Sequence, residues 1–415
     1  MPPVLPTRRI RLALALFVAT SVAAGAAETG SSGSGAGSDS TSDAVRWPQF
    51  RGPDALPTSD NADLPDTWST TENVEWVADI PGMGWSSPIV WGDRIFLTTA
   101  VSGKAMKQPS LGVDFSNELV AELMKQGKSQ EEVIAAVTER DIELPDEIEV
   151  ALHLLALDLS TGKLLWDQTF YTGPPPVGRH RKNSYASETP VTDGEAVYAY
   201  IAHLGLFAYD FAGKQLWHTE LEPHKVYLDF GSGASPTLHA GRLYVLDDNE
   251  EASFVAAFDA ATGKELWRTA RPGLGNEQMR SGWSTPFVWQ HASRTELVTT
   301  GPGVAISYDL EGRELWRLVD MGQSSIQTPF AWDGLLYLTS GAGGAPVRPI
   351  VAVRPGASGT IDPDPGPEGA RSEHVAWYNK EAGGTYLPTP LIYDGRLYVL
   401  SDKGIFDQVD PKTGE

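Results

Sequence analysis

Six times along this chain of 415 residues, polar and aromatic side chains gather just ahead of a Ser/Thr-Pro pair whose proline is Pro88, Pro190, Pro236, Pro286, Pro329 or Pro390. Trp85, Arg181, Asn183, Tyr185, Glu188, Arg280, Trp283, Gln327 and Tyr386 lead this set, with Ser86, Ser232 and Ser324 beside them. Such a mixture suits a small polar or glycan-like ligand, because aromatic faces supply contact area while amides, carboxylates and guanidinium groups fix orientation. The alternative is a solvated funnel that holds nothing specific. Arg179-His180-Arg181-Lys182-Asn183 is a dense basic cluster. It could hold an anionic ligand through charge-assisted hydrogen bonds, or serve only as salt-bridge partner to acidic loops. Asp247-Asp248-Asn249-Glu250-Glu251 offers Asp247, Asp248 and Glu250 to a calcium ion. A solvated acidic turn is the plainer reading, since calcium takes six or more converging oxygens. Asp362, Asp364 and Glu368 are interrupted by prolines and read as an extended surface loop. No H-E-x-x-H pair occurs, and Gly231-Ser232-Gly233 and Gly301-Pro302-Gly303 lack the strand, helix and lysine of a phosphate loop. No residue is assigned a catalytic role.

The elements that must position these residues are repeats. Ala156-Leu157-Asp158, Thr161-Gly162 and Trp166 return as Ala257-Phe258-Asp259, Thr262-Gly263 and Trp267. Looser copies run through Ala208-Tyr209-Asp210, Gly213 and Trp217, and through Ser307-Tyr308-Asp309, Gly312 and Trp316. The five intervals between the six prolines are 102, 46, 50, 43 and 61 residues; all but the first suit a blade-sized unit, three of them within roughly 40 to 50 residues, and the first is double length. Within one unit, Ser235-Pro236-Thr237-Leu238, Leu243-Tyr244-Val245-Leu246, Phe254 to Phe258 and Glu265-Leu266-Trp267 are apolar or β-branched runs separated by turn residues. Proline at the head of a strand spares the hydrogen-bond ladder. Four short strands per repeat make an all-β fold, a β-propeller of four-stranded blades, which leaves only short, protected edges. Trp166, Trp217, Trp267 and Trp316 are expected to cement blade to blade, with the glycines giving the tight turns.

The phrase A-x-D-x-x-T-G-x-x-x-W, at Ala156 to Trp166 and Ala257 to Trp267, resembles the tryptophan-docking motif of pyrroloquinoline-quinone-like (PQQ-like) propeller repeats. That family includes quinoprotein dehydrogenases, the propeller of the outer-membrane assembly machinery, and many secreted bacterial propellers without assigned activity. The opening Trp47-Pro48-Gln49-Phe50-Arg51-Gly52-Pro53 is similar to the start of the last group. The resemblance covers roughly residues 45 to 415; it is specific for fold and weak for function. It implies PQQ and calcium as the cofactors of an enzymatic member. Against this, the adjacent cysteine pair of many alcohol-oxidising members is absent, and the calcium ligands and catalytic Asp of that family find no matching local motif here. Glu188 or Asp229 could serve as base only by conjecture.

Composition narrows the partners. The formal net charge is −22, which disfavours nucleic acid and anionic membranes, and 41% apolar content with 13 Trp is ample for a core. Arg8, Arg9 and Arg11, the apolar stretch Leu12 to Val22 and the small residues at 23–27 read as a signal peptide over residues 1–27, through the general or the twin-arginine route, so the expected location is periplasmic or secreted. The apolar run is too short to span a bilayer. Residues 28–44 are a Gly/Ser-rich linker, and 45–415 the propeller, with a helical insertion at 103–150. In that insertion Phe115, Leu119, Val120 and Leu123, then Ser129-Gln130-Glu131-Glu132 with Val133, Ile134 and Val137, predict a helical hairpin on one face of the ring. It is either a lid or docking element or a decorative insertion.

The chain contains no cysteine, which rules out disulfides, a lipid-anchored cysteine, covalent c-type haem and thiolate metal sites. The assembly-machinery lipoprotein therefore matches only in fold. Asn73-Val74-Glu75-Trp76 reads as a lone outermost strand, expected to close the ring by pairing with the last C-terminal blade. Gln408 to Glu415 stop inside another copy of the tryptophan phrase, so the expectation is six recognisable repeats here and seven blades in a full form, with eight as the alternative. The leading function is an exported, non-catalytic scaffold binding a protein, peptide or carbohydrate. The alternative is a PQQ- and calcium-dependent quinoprotein dehydrogenase oxidising an alcohol or sugar.

Overall fold

A computed structural model describes residues 10–14, 45–60, 64–103, 122–129, 132–133, 135–136, 148–180, 182–276, 279–341, 348–367, 369–370, 372–380, 384–401 and 404–415. Successive antiparallel sheets follow the chain, each running from an inner to an outer strand. Blade one comprises Ile89–Trp91, Arg94–Ser102, Val150–Asp158 and Leu164–Gly173. Blade two comprises Val191–Thr192, Ala196–Ile201, Gly205–Asp210 and Gln215–Glu220. Blade three follows as Thr237–His239, Arg242–Asp247, Phe254–Asp259 and Glu265–Ala270, and blade four as Phe287–Gln290, Thr295–Gly301, Val304–Tyr308 and Glu314–Leu318. Blade five is Phe330–Trp332, Leu335–Thr339, Ile350–Val353 and Val375–Asn379; blade six has Leu391–Tyr393, Arg396–Leu400 and Phe406–Val409. The architecture is a β-propeller.

The burial pattern follows from the stacking of sheets. Middle strands are covered on both faces, so Ala196–Ile201 is buried at every residue and reads as an unbroken apolar run. Outer strands have one covered face, and Gln215–Glu220 and Glu265–Ala270 place their half-buried side chains at alternate positions. The core is a series of slabs between neighbouring blades; one joins Tyr198, Tyr200 and Leu206 of blade two to Leu243, Val245 and Phe258 of blade three.

Indoles tie the slabs together at the rim. The Nε1–H groups of Trp166, Trp217 and Trp267 donate to Phe211 O at 2.9 Å, Ala260 O at 3.0 Å and Leu310 O at 2.9 Å, each acceptor being the residue after the Asp of the next blade's turn. Trp377 does the same to Pro411 O at 2.7 Å. Each ring lies over that turn's glycine: a Cβ on Gly263 would sit 2.4 Å from Trp217, and its φ of +72° independently favours glycine. Trp316 departs from the series. Blade five carries Arg354-Pro355-Gly356 where the Asp turn would stand, and Trp316 Nε1 donates instead to buried Glu296 Oε2 of its own blade at 2.7 Å. Glu296 also accepts from Arg294 Nε at 2.7 Å and Ser307 Oγ at 2.5 Å.

Two outer edges carry an added strand. The outer strand near the N-terminus is Trp76–Ile80, and it pairs antiparallel with Ile10–Leu14. An exposed outer strand offers unpaired N–H and C=O groups, and an extended apolar segment supplies partners. Trp76 itself docks on blade one, donating to Leu159 O at 3.0 Å over Gly162. The residues Ile10–Leu14 belong to the stretch that the sequence assigns to the leader. Gly359–Ile361 adds a fifth, parallel strand beside Glu314–Leu318. The insertion falls mostly outside the described residues; within it 122–125 are helical, and Ser129 and Glu132 form a reciprocal cap, each backbone N–H donating to the other's side chain, at 2.8 and 3.2 Å.

Candidate functional site

The loops entering the inner strands meet around the upper mouth of the axis, and their first task there is structural. The residue before each proline passes a hydrogen bond to the next blade: Ser87 N donates to Thr189 Oγ1 at 2.9 Å, Thr189 N to Ser235 Oγ at 3.0 Å, and Ser235 N to Thr285 Oγ1 at 3.1 Å. Thr328 N continues to Thr389 Oγ1 at 3.1 Å. Between blades four and five the relay changes. Ser284 Oγ donates to Gln327 O at 2.7 Å, and Thr328 Oγ1 is buried without a partner among the described residues. In the sequence the Ser/Thr of this phrase reads as a strand marker; its regular spacing is the visible signal of an inter-blade ring.

Above this ring, the loops of blades two and three clasp each other. Asn183 Nδ2 donates to Phe230 O at 3.2 Å and Ser232 O at 2.9 Å, His180 N donates to Phe230 O at 2.9 Å, and Gly178 N donates to Asp229 Oδ1 at 2.9 Å. The His180 ring stands edge-on to Phe230 at 4.5 Å. Trp85 reaches this clasp from blade one, its Nε1 donating to Lys182 O at 2.8 Å, and Trp283 reaches it from blade four, donating to Gly231 O at 2.8 Å. Trp283 is partly buried, whereas Trp85 leaves 53% of its surface exposed. Tyr185 is buried beneath Arg179, whose guanidinium carbon lies 5.6 Å from the ring and whose Nη1 donates to Asn183 O at 2.9 Å. Gln327 is buried, its amide donating to Thr385 O and to Tyr386 O at 2.8 Å, so that Tyr386 meets the cluster through its backbone. Arg280 stands apart from the cluster: it is exposed and lies over blade three beside Glu251 and Asn276, lining a separate cavity of about 600 Å³. Arg181 lies outside the described residues.

Glu188 is the buried acid at the mouth. Its Oε1 accepts from Ser232 Oγ and from Ala202 N at 3.3 Å, and burial lifts its pKa above the ordinary glutamate value. Ser232 Oγ also lies 3.5 Å from His203 Nδ1, and burial lowers His203 to about 4. With Ser232 Oγ donating to Glu188, its oxygen can accept from His203 where the imidazole carries its proton on Nδ1. His203 Nε2 is buried without a hydrogen-bond partner among the described residues. Neither His203 nor Arg179 is among the leading residues that the sequence picks out.

The acidic turn of blade three does not converge on a point. Asp247 pairs with His224 Nδ1 at 3.0 Å, Asp248 with Arg271 Nε at 2.7 Å, and Glu250 accepts from Arg280 N, Ser281 N and Ser281 Oγ at 3.0, 3.0 and 2.6 Å. These carboxylates face three different donors, and no group of three or more His, Asp or Glu among the described residues could hold a metal ion. Among the described residues the donor set of the mouth does not fit a quinone with calcium either: the Glu188 carboxylate is enclosed by Ser232 and Ala202, Asp229 accepts from Gly178 N, and the amides of Asn183 and Gln327 are spent on backbone carbonyls.

No family model matches the chain, and no curated protein does. Solved structures are similar to it at low identity. BamB from Moraxella catarrhalis is 17% identical, over 65% of this chain and 71% of that one, with a TM-score of 0.43. A europium-containing methanol dehydrogenase is 14% identical over 79% and 76%, TM-score 0.46. Quinohemoprotein alcohol dehydrogenase from Comamonas testosteroni is 13% identical over 81% and 66%, TM-score 0.44. Among the described residues, no helix is long and apolar enough to cross a membrane.

Proposed function

We propose that this chain is an exported, non-catalytic propeller that holds a protein, peptide or carbohydrate partner on the loop face around the upper mouth. The observation that carries this reading is Trp85: its N–H is pinned at 2.8 Å while its ring face stays open to solvent. A ring fixed in this way presents contact area with little conformational entropy left to lose on binding. The polar groups around it support the partner indirectly, because they are consumed in holding loops of four blades in register. A catalytic reading would need an acid or base free to face a substrate; Glu188 and His203 are closed in, and the partly exposed Asp229 is engaged by Gly178 N. The formal charge of −22 favours neutral or basic partners over nucleic acid. Periplasmic or secreted placement is part of the proposal and rests on the leader-like N-terminus.

The test is a glycan and peptide array probed with the parent chain and with Trp85→Ala. Hits lost in the variant while the thermal midpoint holds would support the site. Hits retained at full strength would remove Trp85 from it and with it the carrying observation.

A further inference from the structure

The lower end of the axis is occupied by residues 45–56, which touch five of the six blades. Arg46 and Trp47 pair with Trp91 and Val90 as an extra strand on the inner edge of blade one. Thr192 N of blade two donates to Pro48 O at 3.0 Å. The turn Pro53–Ala55 packs on Phe287–Gln290 of blade four and Phe330–Trp332 of blade five, and Arg51 Nη2 donates to Pro390 O at the head of blade six at 3.1 Å. A cavity of about 220 Å³ remains beside the segment, lined by Phe50, Thr192, Thr237, His239, Gln290 and Thr328 among others.

Three features make this a ligand-like contact. Recognition runs through main-chain hydrogen bonds on a strand edge plus side-chain anchors, the mode by which sheets accept extended peptides. The backbone is strained: Arg51, Asp54 and Ala55 hold φ of 62°, 58° and 52°, a left-handed conformation that non-glycine residues keep only where surroundings impose it. Gly52, at φ 71°, is irreplaceable, since a Cβ there would lie 2.9 Å from the Trp47 ring. We propose that the lower axis is a peptide-accepting cleft that residues 45–56 fill in cis, and that the same segment of a second copy of this chain fits it in trans. The donors and acceptors are matched to Trp-Pro-Gln-Phe-Arg-Gly-Pro, and every copy carries one. Tethering gives the cis segment a high effective concentration, so the trans fit shows once the tether is cut.

The experiment uses the full chain with a specific protease site inserted between Ser59 and Leu64, and a labelled synthetic peptide of residues 45–58 as the probe for a second copy's segment. After cutting, the peptide in excess should bind at one per chain, at least about tenfold more tightly than to uncut chain, and its Arg51→Ala version at least about tenfold more weakly. Cut chain with an unchanged circular dichroism spectrum that fails to bind peptide would overturn the proposal. Equal binding to cut and uncut chain would overturn it by placing the peptide elsewhere. Unfolding on cutting would overturn it as well, showing the segment to be an inseparable part of the core.

Discussion

Glu188 and His203 share the hydroxyl of Ser232, and their burial makes opposite demands on pH. An acid whose folded pKa lies above its unfolded value binds its proton more tightly when folded, so its stabilising effect is present at low pH and lost as pH rises through the lifted value. The urea midpoint of the parent chain should therefore fall relative to that of Glu188→Gln as pH climbs from 4.5. Parallel curves would show that Glu188 is not titrating in a buried site. His203 runs the other way. With its folded pKa lowered from 6.5 to about 4, the unfolded chain takes up the proton first, and stability is lost as pH falls across that interval. His203→Gln should flatten this loss; an unchanged slope would contradict the assignment. Sequence marks Glu188 by its place before Pro190. It cannot mark His203, whose role depends on a loop of the next blade coming within 3.5 Å.

At the scale of elements, blades are joined by an indole at the rim and a hydroxyl at the axis. Trp267→Ala should lower stability by about 3 kcal/mol, since it removes a large packed side chain and leaves Leu310 O without its donor. Equilibrium denaturation would check this, and an unchanged midpoint would refute the cementing role. Blade three also carries a fully buried pair, Arg271 with Asp248, in which Arg271 Nη1 further donates to Thr299 Oγ1 at 2.6 Å and Tyr308 Oη at 2.8 Å. Arg271→Met should cost about 3–5 kcal/mol, because it strands a buried carboxylate. A loss below about 1 kcal/mol would mean that Asp248 finds water or another donor. The strand pattern is legible in sequence because covered strands give continuous apolar runs between glycine turns. The pairing of Trp76–Ile80 is not, since an outer edge is indifferent to which extended segment lies beside it. The Trp316 exception is also hidden: its tryptophan is present, and what changes is the receiving turn one blade later, where Arg354 and Pro355 replace the Asp phrase.

For the whole molecule, both ends of the axis are furnished by loops rather than left open. The upper mouth is crossed by the clasp of Asn183 with Phe230 and Ser232, the lower end by residues 45–56. Much of the candidate set is found from its position before the prolines, yet sequence cannot tell a lining residue from a bracing one. Gln327 and Asn183 have the chemistry of ligand contacts and use it on backbone carbonyls; Trp85 keeps its face open to solvent. On the proposed scaffold reading that open face is the contact, whereas a quinone-dependent oxidoreductase would need free acid, base and metal-ligand groups at the same place. The most direct measurement is a calorimetric titration of the full chain with pyrroloquinoline quinone and calcium, followed by a dye-linked alcohol oxidation assay on the same sample. The scaffold account expects no turnover and no stoichiometric heat. Tight one-to-one binding with turnover would contradict it.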